Sequence, residues 1–206
     1  MRYVGLRRAT GAPHMIFGAL NTVIENAMLG PDFMTLDQKI ESLRAYVKDL
    51  GSVVVAYSGG IDSALVLKVA TDVFGDHALG VTADSPSVPR SELEGAKRIA
   101  ASIGARHRVI ETDEFQNENY TRNPSNRCYF CKSELYGKLA EVARQEGIHH
   151  VANGTNTDDL GDHRPGLQAA DEFSVVSPLT EAGFSKQEVR QLARKLKLEI
   201  WDKPAS

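Results

Sequence analysis

The sequence predicts an α/β protein: a doubly wound parallel sheet with helices on both faces. Three observations predict it. From Val53 onward, short apolar runs of strand length alternate with longer segments of helical character. A glycine-rich turn, Ser58 to Ser63, joins the first such strand to the first such helix. Each chemistry-bearing motif falls at, or just after, the end of a strand, where parallel sheets bind ligands.

The elements follow in order. Residues 1–33 differ from the rest. Met1 to Asn21 carries Arg2, Arg7 and Arg8 and no acid, and is expected to be an N-terminal extension, disordered or artefactual. The folded part is expected over residues 34–206. An amphipathic helix begins near Met34 and runs to Leu50, with Thr35 or Asp37 near its cap. Val53 to Tyr57 reads as a buried strand and Asp62 to Phe74 as a helix. Ala78 to Ala83 is the second strand. Pro89 suits the first turn of a helix ending near Ile103. His107 to Ile110 is the third strand. Glu111 to Asn126 is polar and irregular, broken at Asn123-Pro124. A helix from Cys128 to Gln145 leads to a fourth strand, His150 to Asn153. Ser185-Lys186-Gln187-Glu188 is a capping box opening a basic helix to about Leu198.

Composition narrows the class. The chain has 206 residues, enough for one core, and a net charge of −3. The mild acidic balance argues against a nucleic-acid partner. No apolar run approaches a membrane span. Two cysteines cannot make a disulfide framework. Their spacing suggests metal or redox chemistry in a reducing compartment, the cytoplasm.

Ser58, Gly59, Gly60, Ile61, Asp62 and Ser63 form the first chemical motif. The glycines let backbone N–H groups approach anionic oxygens, and the helix start adds partial positive charge. Asp62 would repel phosphate unless a hard cation such as Mg²⁺ sits between them. The loop lacks the lysine of a Walker-type sequence. Its pattern, S-G-G-x-D-S, resembles the pyrophosphate loop of the N-type ATP pyrophosphatases. That resemblance implies ATP as cofactor, attack on its α-phosphate and pyrophosphate as the leaving group.

Other motifs follow the later strands. Thr82-Ala83-Asp84-Ser85 ends the second strand, and Ala83 and Ser85 are expected to line the adenine and ribose. Arg127-Cys128-Tyr129-Phe130-Cys131-Lys132 has four readings: a zinc site short of two ligands, a reactive dithiol, a buried structural pair, or two ligands of an iron–sulfur cluster. After the fourth strand, Gly154 and Thr155 suit a backbone approach to the nucleotide. Asp158, Asp159 and Asp162 suit either ligation or helix capping, and Arg164 suits a substrate phosphate.

Tyr57 to Ser63, Arg127 to Lys132, Asp162 to Gly166 and Trp201 to Ser206 together resemble the LarE family, across residues 34–206. The resemblance implies the PP-loop fold, akin to the adenine nucleotide α-hydrolases. It also implies adenylation of a pyridinium dicarboxylate mononucleotide, followed by sulfur insertion toward a nickel-pincer nucleotide. Lys132 then matches a phosphate-contacting lysine and acts with Asp62, Cys128 and Cys131. Asp62 holds Mg²⁺, and Asp162 and Arg164 meet the small-molecule substrate. Cys128 and Cys131 match the C-x-x-C subgroup, which holds a [4Fe-4S] cluster with a third cysteine. That cysteine and a C-terminal domain are expected beyond residue 206, and a homo-oligomer is expected of the full-length protein. Two thiolates are too few for such a cluster, so the 206 residues alone are not expected to complete sulfur transfer. Ile200 and Trp201 are expected to form an exposed apolar surface.

Overall fold

Val53, Val54 and Val55 occupy the centre of the fold. In the computed structural model, which describes residues 34–86, 88–112, 126–161 and 165–202, they form strand β1 (Val53–Ala56). β-Branched side chains suit a pleated backbone. All three are buried, so the strand needs cover on both sides.

Three strands join β1: β2 (Ala78–Asp84), β3 (Arg106–Glu111) and β4 (His150–Ala152). All pair in parallel, in the order β3-β2-β1-β4. Val53 lies opposite Ala78 on one side and His150 on the other.

The helices are α1 (Leu36–Asp49), α2 (Ile61–Phe74), α3 (Arg90–Ile103), α4 (Arg127–Glu146), α5 (Pro165–Glu172), α6 (Pro178–Glu181) and α7 (Lys186–Lys195). Alternation along β1 sorts them. Val53 and Val55 pack with Leu43 of α1, Leu65 and Leu67 of α2, Ala100 of α3 and Leu192 of α7. Val54 faces the other way, with Leu79, Tyr136 and Leu139 of α4, and Ala169 of α5. The sheet is therefore doubly wound, as the sequence predicts. Each leucine buried this fully contributes about 1.5–3 kcal/mol relative to exposure.

Strand order also places the site. The chain steps outward from β1 to β2 to β3, then returns to lay β4 on the opposite side of β1. That reversal opens a crevice beyond the carboxyl ends of β1 and β4.

Several details depart from the sequence reading. Pro89 is the N-cap of α3 rather than part of its first turn. Helices α5 and α6, each starting on a proline, are additional elements, as is the 3₁₀ turn Thr157–Asp159. Ile200 is 7 % exposed and belongs to the core, so it forms no apolar surface. Trp201 is 38 % exposed, with the Arg194 guanidinium 5.0 Å from its ring centroid. The described residues from Leu36 onward belong to one compact unit. The extension expected over residues 1–33 and the Asn123-Pro124 break lie outside the described residues. Among the described residues, no helix is long and apolar enough to cross a membrane.

Candidate active site

A cavity of about 450 Å³ opens at the carboxyl ends of the strands. Tyr57 and Ser58 enter it after β1, and Thr82, Ala83 and Ser85 enter from the end of β2. Thr112 follows β3, and Asn153, Gly154 and Thr155 follow β4. Helix α4 closes one side with Cys128, Cys131, Lys132 and Tyr136. A fold-level rule thus brings together motifs that lie almost 100 positions apart in the chain.

The loop after β1 is shaped by one close approach. Gly59 has φ +78°, and a Cβ there would sit 2.8 Å from the Ala96 Cβ of α3. Only glycine satisfies both the angle and the space. The serine hydroxyls brace the same turn. Ser58 N–H donates to Ser63 Oγ at 3.2 Å, and Gly60 N–H donates to Ser58 Oγ at 3.3 Å. Ser63 Oγ donates to the Gly60 carbonyl at 3.2 Å. In the 3.1 Å contact between the two hydroxyls, Ser58 is therefore the donor. No side chain caps α2, which leaves its first-turn N–H groups as donors beside the cavity. Ile61, by contrast, is buried in the core. Its side chain does not line the cavity.

Asp62 lines the cavity and already meets a cation. Lys186 Nζ of α7 pairs with its Oδ2, and Asn156 Nδ2 donates to its Oδ1 at 3.2 Å. The start of α7 is firmly held. Ser185 and Glu188 form the expected capping box. Lys39 of α1, buried, donates to both Glu188 oxygens at 2.8 and 2.9 Å and to the Gly183 carbonyl at 2.6 Å. Burial works against a charge on Glu188, but the bonds from Lys39 and Ser185 outweigh it and hold its carboxyl below the usual range. A carboxylate facing a cavity next to the N–H donors of the glycine loop would fit Mg²⁺, an ion held by one or two carboxylates plus phosphate oxygens.

Cys128 is exposed and Cys131 half-buried, both line the cavity, and neither is in a disulfide. The reading of a buried structural pair is thereby set aside. The missing side chain of Gly166 leaves room for Cys128 Sγ and the Lys132 stem, each 3.0 Å from where a Cβ would stand. Lys132 Nζ lies 5.7 Å from the Tyr136 ring centroid. Among the described residues no group of three or more metal-ligating side chains occurs. The two thiolates of this chain do not by themselves fit a four-iron cluster.

Gly154 lines the cavity and also serves a packing purpose. A Cβ there would sit 2.6 Å from Ser63 N, so the glycine lets the β4 loop pack on the start of α2. Asp158 and Asp159 act in turn chemistry. Asp159 completes a capping box with Asn156, and Asp158 Oδ2 accepts from Lys186 N–H at 3.1 Å. Asp162, His163 and Arg164 lie outside the described residues.

A buried polar chain backs the loop. Tyr57 donates its hydroxyl to the Ala96 carbonyl at 3.0 Å, and burial pushes that hydroxyl's pKa up. Thr82 Oγ1 donates to the Tyr57 carbonyl at 2.7 Å. Having spent its proton, it must accept from His107 Nε2 at 2.8 Å, which fixes the proton on Nε2. Burial, then the charge of Lys97, holds the His107 pKa below its ordinary value. Lys186, Asn156 and His107 were not singled out by sequence as site residues. The capping box at Ser185 marked where α7 starts but not where Lys186 reaches.

Known proteins resemble this chain in sequence or in fold. The NAD synthase family model matches residues 35–132. A pyridinium-3,5-bisthiocarboxylic acid mononucleotide synthase of Lactiplantibacillus plantarum is 39% identical over 84% of this chain and 63% of its own length. An uncharacterized protein of Synechocystis is 51% identical over 82% of this chain and 63% of its own. The chain thus spans less than two thirds of the length of these curated relatives. Among solved structures, the NH3-dependent NAD synthetase of Campylobacter jejuni superposes with a TM-score of 0.63. Its identity is 18%, over 81% of this chain and 76% of that one, a likeness that shows the fold.

Proposed function

We propose, for a chain that is a LarE homologue built on the PP-loop fold of the ATP pyrophosphatases, a role in ATP-dependent sulfur insertion into a pyridinium dicarboxylate mononucleotide. One observation carries the proposal. The S-G-G-x-D-S loop, Lys132 and both cysteines line a single cavity of about 450 Å³. A bare nucleotide-binding module has no use for two accessible thiols beside its phosphate loop.

The chemistry runs as acyl activation. A carboxylate oxygen of the substrate attacks the α-phosphorus of ATP. A new O–P bond forms as the bond to the bridging oxygen breaks, and pyrophosphate leaves with the electron pair. The Gly59-Gly60 turn and the α2 N-terminus receive the pyrophosphate, and Lys132 supplies the cation missing from the loop. Asp62 would hold Mg²⁺, which on binding neutralises the leaving charge. Ala83 and Ser85 line the adenosine end, with Thr155 beside it. The activated carbonyl then accepts a sulfur nucleophile and releases AMP. Cys128 and Cys131 stand on the sulfur side of the cavity, Arg164 is assigned to the substrate's own phosphate, and Asp162 to a cationic group of the substrate. The reading takes the protein to be cytoplasmic and homo-oligomeric.

Pyrophosphate exchange tests it. The full-length protein should exchange labelled pyrophosphate into ATP when pyridinium dicarboxylate mononucleotide is present. Exchange that ignores the dicarboxylate, or none despite ATP binding, would remove the adenylation step.

A further inference from the structure

Both carboxylate oxygens of Asp62 are occupied, and the cation comes from far away. Lys186 is 124 positions along the chain. Its arrival is organised by several independent contacts. Its own backbone N–H donates to Asp158 Oδ2 at 3.1 Å, and Asp158 N–H donates to Asn156 Oδ1 at 3.0 Å. One short turn therefore anchors both groups that meet Asp62. The buried Lys39 fixes the first turn of α7 through Glu188. The Asp62 and Lys186 side chains are 22 % and 27 % exposed, so solvent screens the pair less than it would an open surface pair.

We propose that Lys186 is a resident counter-ion for Asp62, holding the carboxylate until a divalent cation displaces it, so that lysine and metal compete for one position. The inference rests on the nucleotide reading of the same cavity. An uncovered carboxylate beside the phosphate loop would repel a triphosphate. Lys186 cancels that charge without a metal. A hard dication displaces the ammonium when phosphate oxygens complete its coordination shell, so metal and nucleotide enter together. Two consequences follow in opposite directions. With Lys186 in place, metal alone binds poorly, while metal-free nucleotide retains measurable affinity.

The test uses Mn²⁺ alone, followed by the spin resonance of the free ion, and ATP in excess chelator, followed by calorimetry. Lys186→Met should tighten Mn²⁺ binding by about threefold or more and weaken metal-free ATP binding by about tenfold. Asp62→Asn in the same background should remove the Mn²⁺ gain. Lys186→Arg should behave as the unmodified protein. A lysine that served only to hold α7 in place would weaken both affinities when removed. Mn²⁺ binding unchanged or weaker in Lys186→Met, or a gain that survives Asp62→Asn, overturns the counter-ion. Mg·ATP titration of the unmodified protein is read separately: no binding there overturns the nucleotide reading, whatever Mn²⁺ does.

Discussion

Ala96 contacts both the glycine loop and Tyr57, which joins that loop to β1: its carbonyl accepts the Tyr57 hydroxyl at 3.0 Å, and its Cβ lies 2.8 Å from where a Cβ on Gly59 would stand. Helix α3 therefore sets the height of the loop above the sheet. The fit depends on the absence of a side chain at Gly59.

Gly59→Ala should then cost more than a left-handed residue alone. Gly51 has a similar φ of +71° with nothing within 4 Å of where its Cβ would stand, which makes it the control. Gly51→Ala should lose about 1 kcal/mol of stability from the backbone angle. Gly59→Ala should lose about 2–3 kcal/mol, because the α3 backbone must also move. Urea unfolding of the two variants checks the difference. Equal losses would mean that α3 does not set the loop.

His107 makes stability depend on pH. Its folded pKa lies below 6.5, so the unfolded chain binds more protons than the folded one just under that value. Its contribution is fully present above pH 6.5 and declines as pH falls through the depressed folded pKa. His107→Gln should flatten this part of the profile. The check is the urea midpoint at pH 7.5 and 5.5, where the unmodified protein should lose more on acidification than the variant. Parallel losses would contradict the assignment.

Cys128 and Cys131 line the cavity and stand outside the packed core. One is exposed and the other half-buried. Replacing both with alanine should change stability by no more than about 0.5 kcal/mol. On the proposed sulfur-insertion reading, the same change should abolish that transfer. A drop of many degrees in melting temperature would instead indicate a structural pair.

Much of the fold was legible because it follows apolar runs. Val53–Ala56 and Ala78–Asp84 are bounded by turn residues and buried on both faces, and parallel pairing of such runs needs helices between them. The capping box at Ser185 marked the start of α7 correctly. Helix α5 was not legible: Pro-Gly-Leu-Gln-Ala-Ala-Asp-Glu is short and mostly small or polar, so its periodicity is faint. Ile200 was misjudged because the sequence does not reveal that the chain after α7 turns inward to the core. The loop motif was legible from local pattern alone. Its cation, Lys186, was not, because the pairing depends on α7 packing against α2 near the cavity mouth. The close approach of Gly154 to Ser63 was likewise not legible, because it depends on how the β4 loop packs on α2.

Calorimetric titration of Mg·ATP into the unmodified protein, Asp62→Asn and Lys132→Ala tests the central claim most directly. The cavity of Ser58, Asp62 and Lys132 should bind Mg·ATP. Losing the Lys132 charge should weaken it by about tenfold or more, as expected for a charge-assisted phosphate contact. Asp62→Asn should weaken it through the metal. Unchanged affinity in both variants would contradict the account, because the nucleotide would then have to bind somewhere other than the loop after β1.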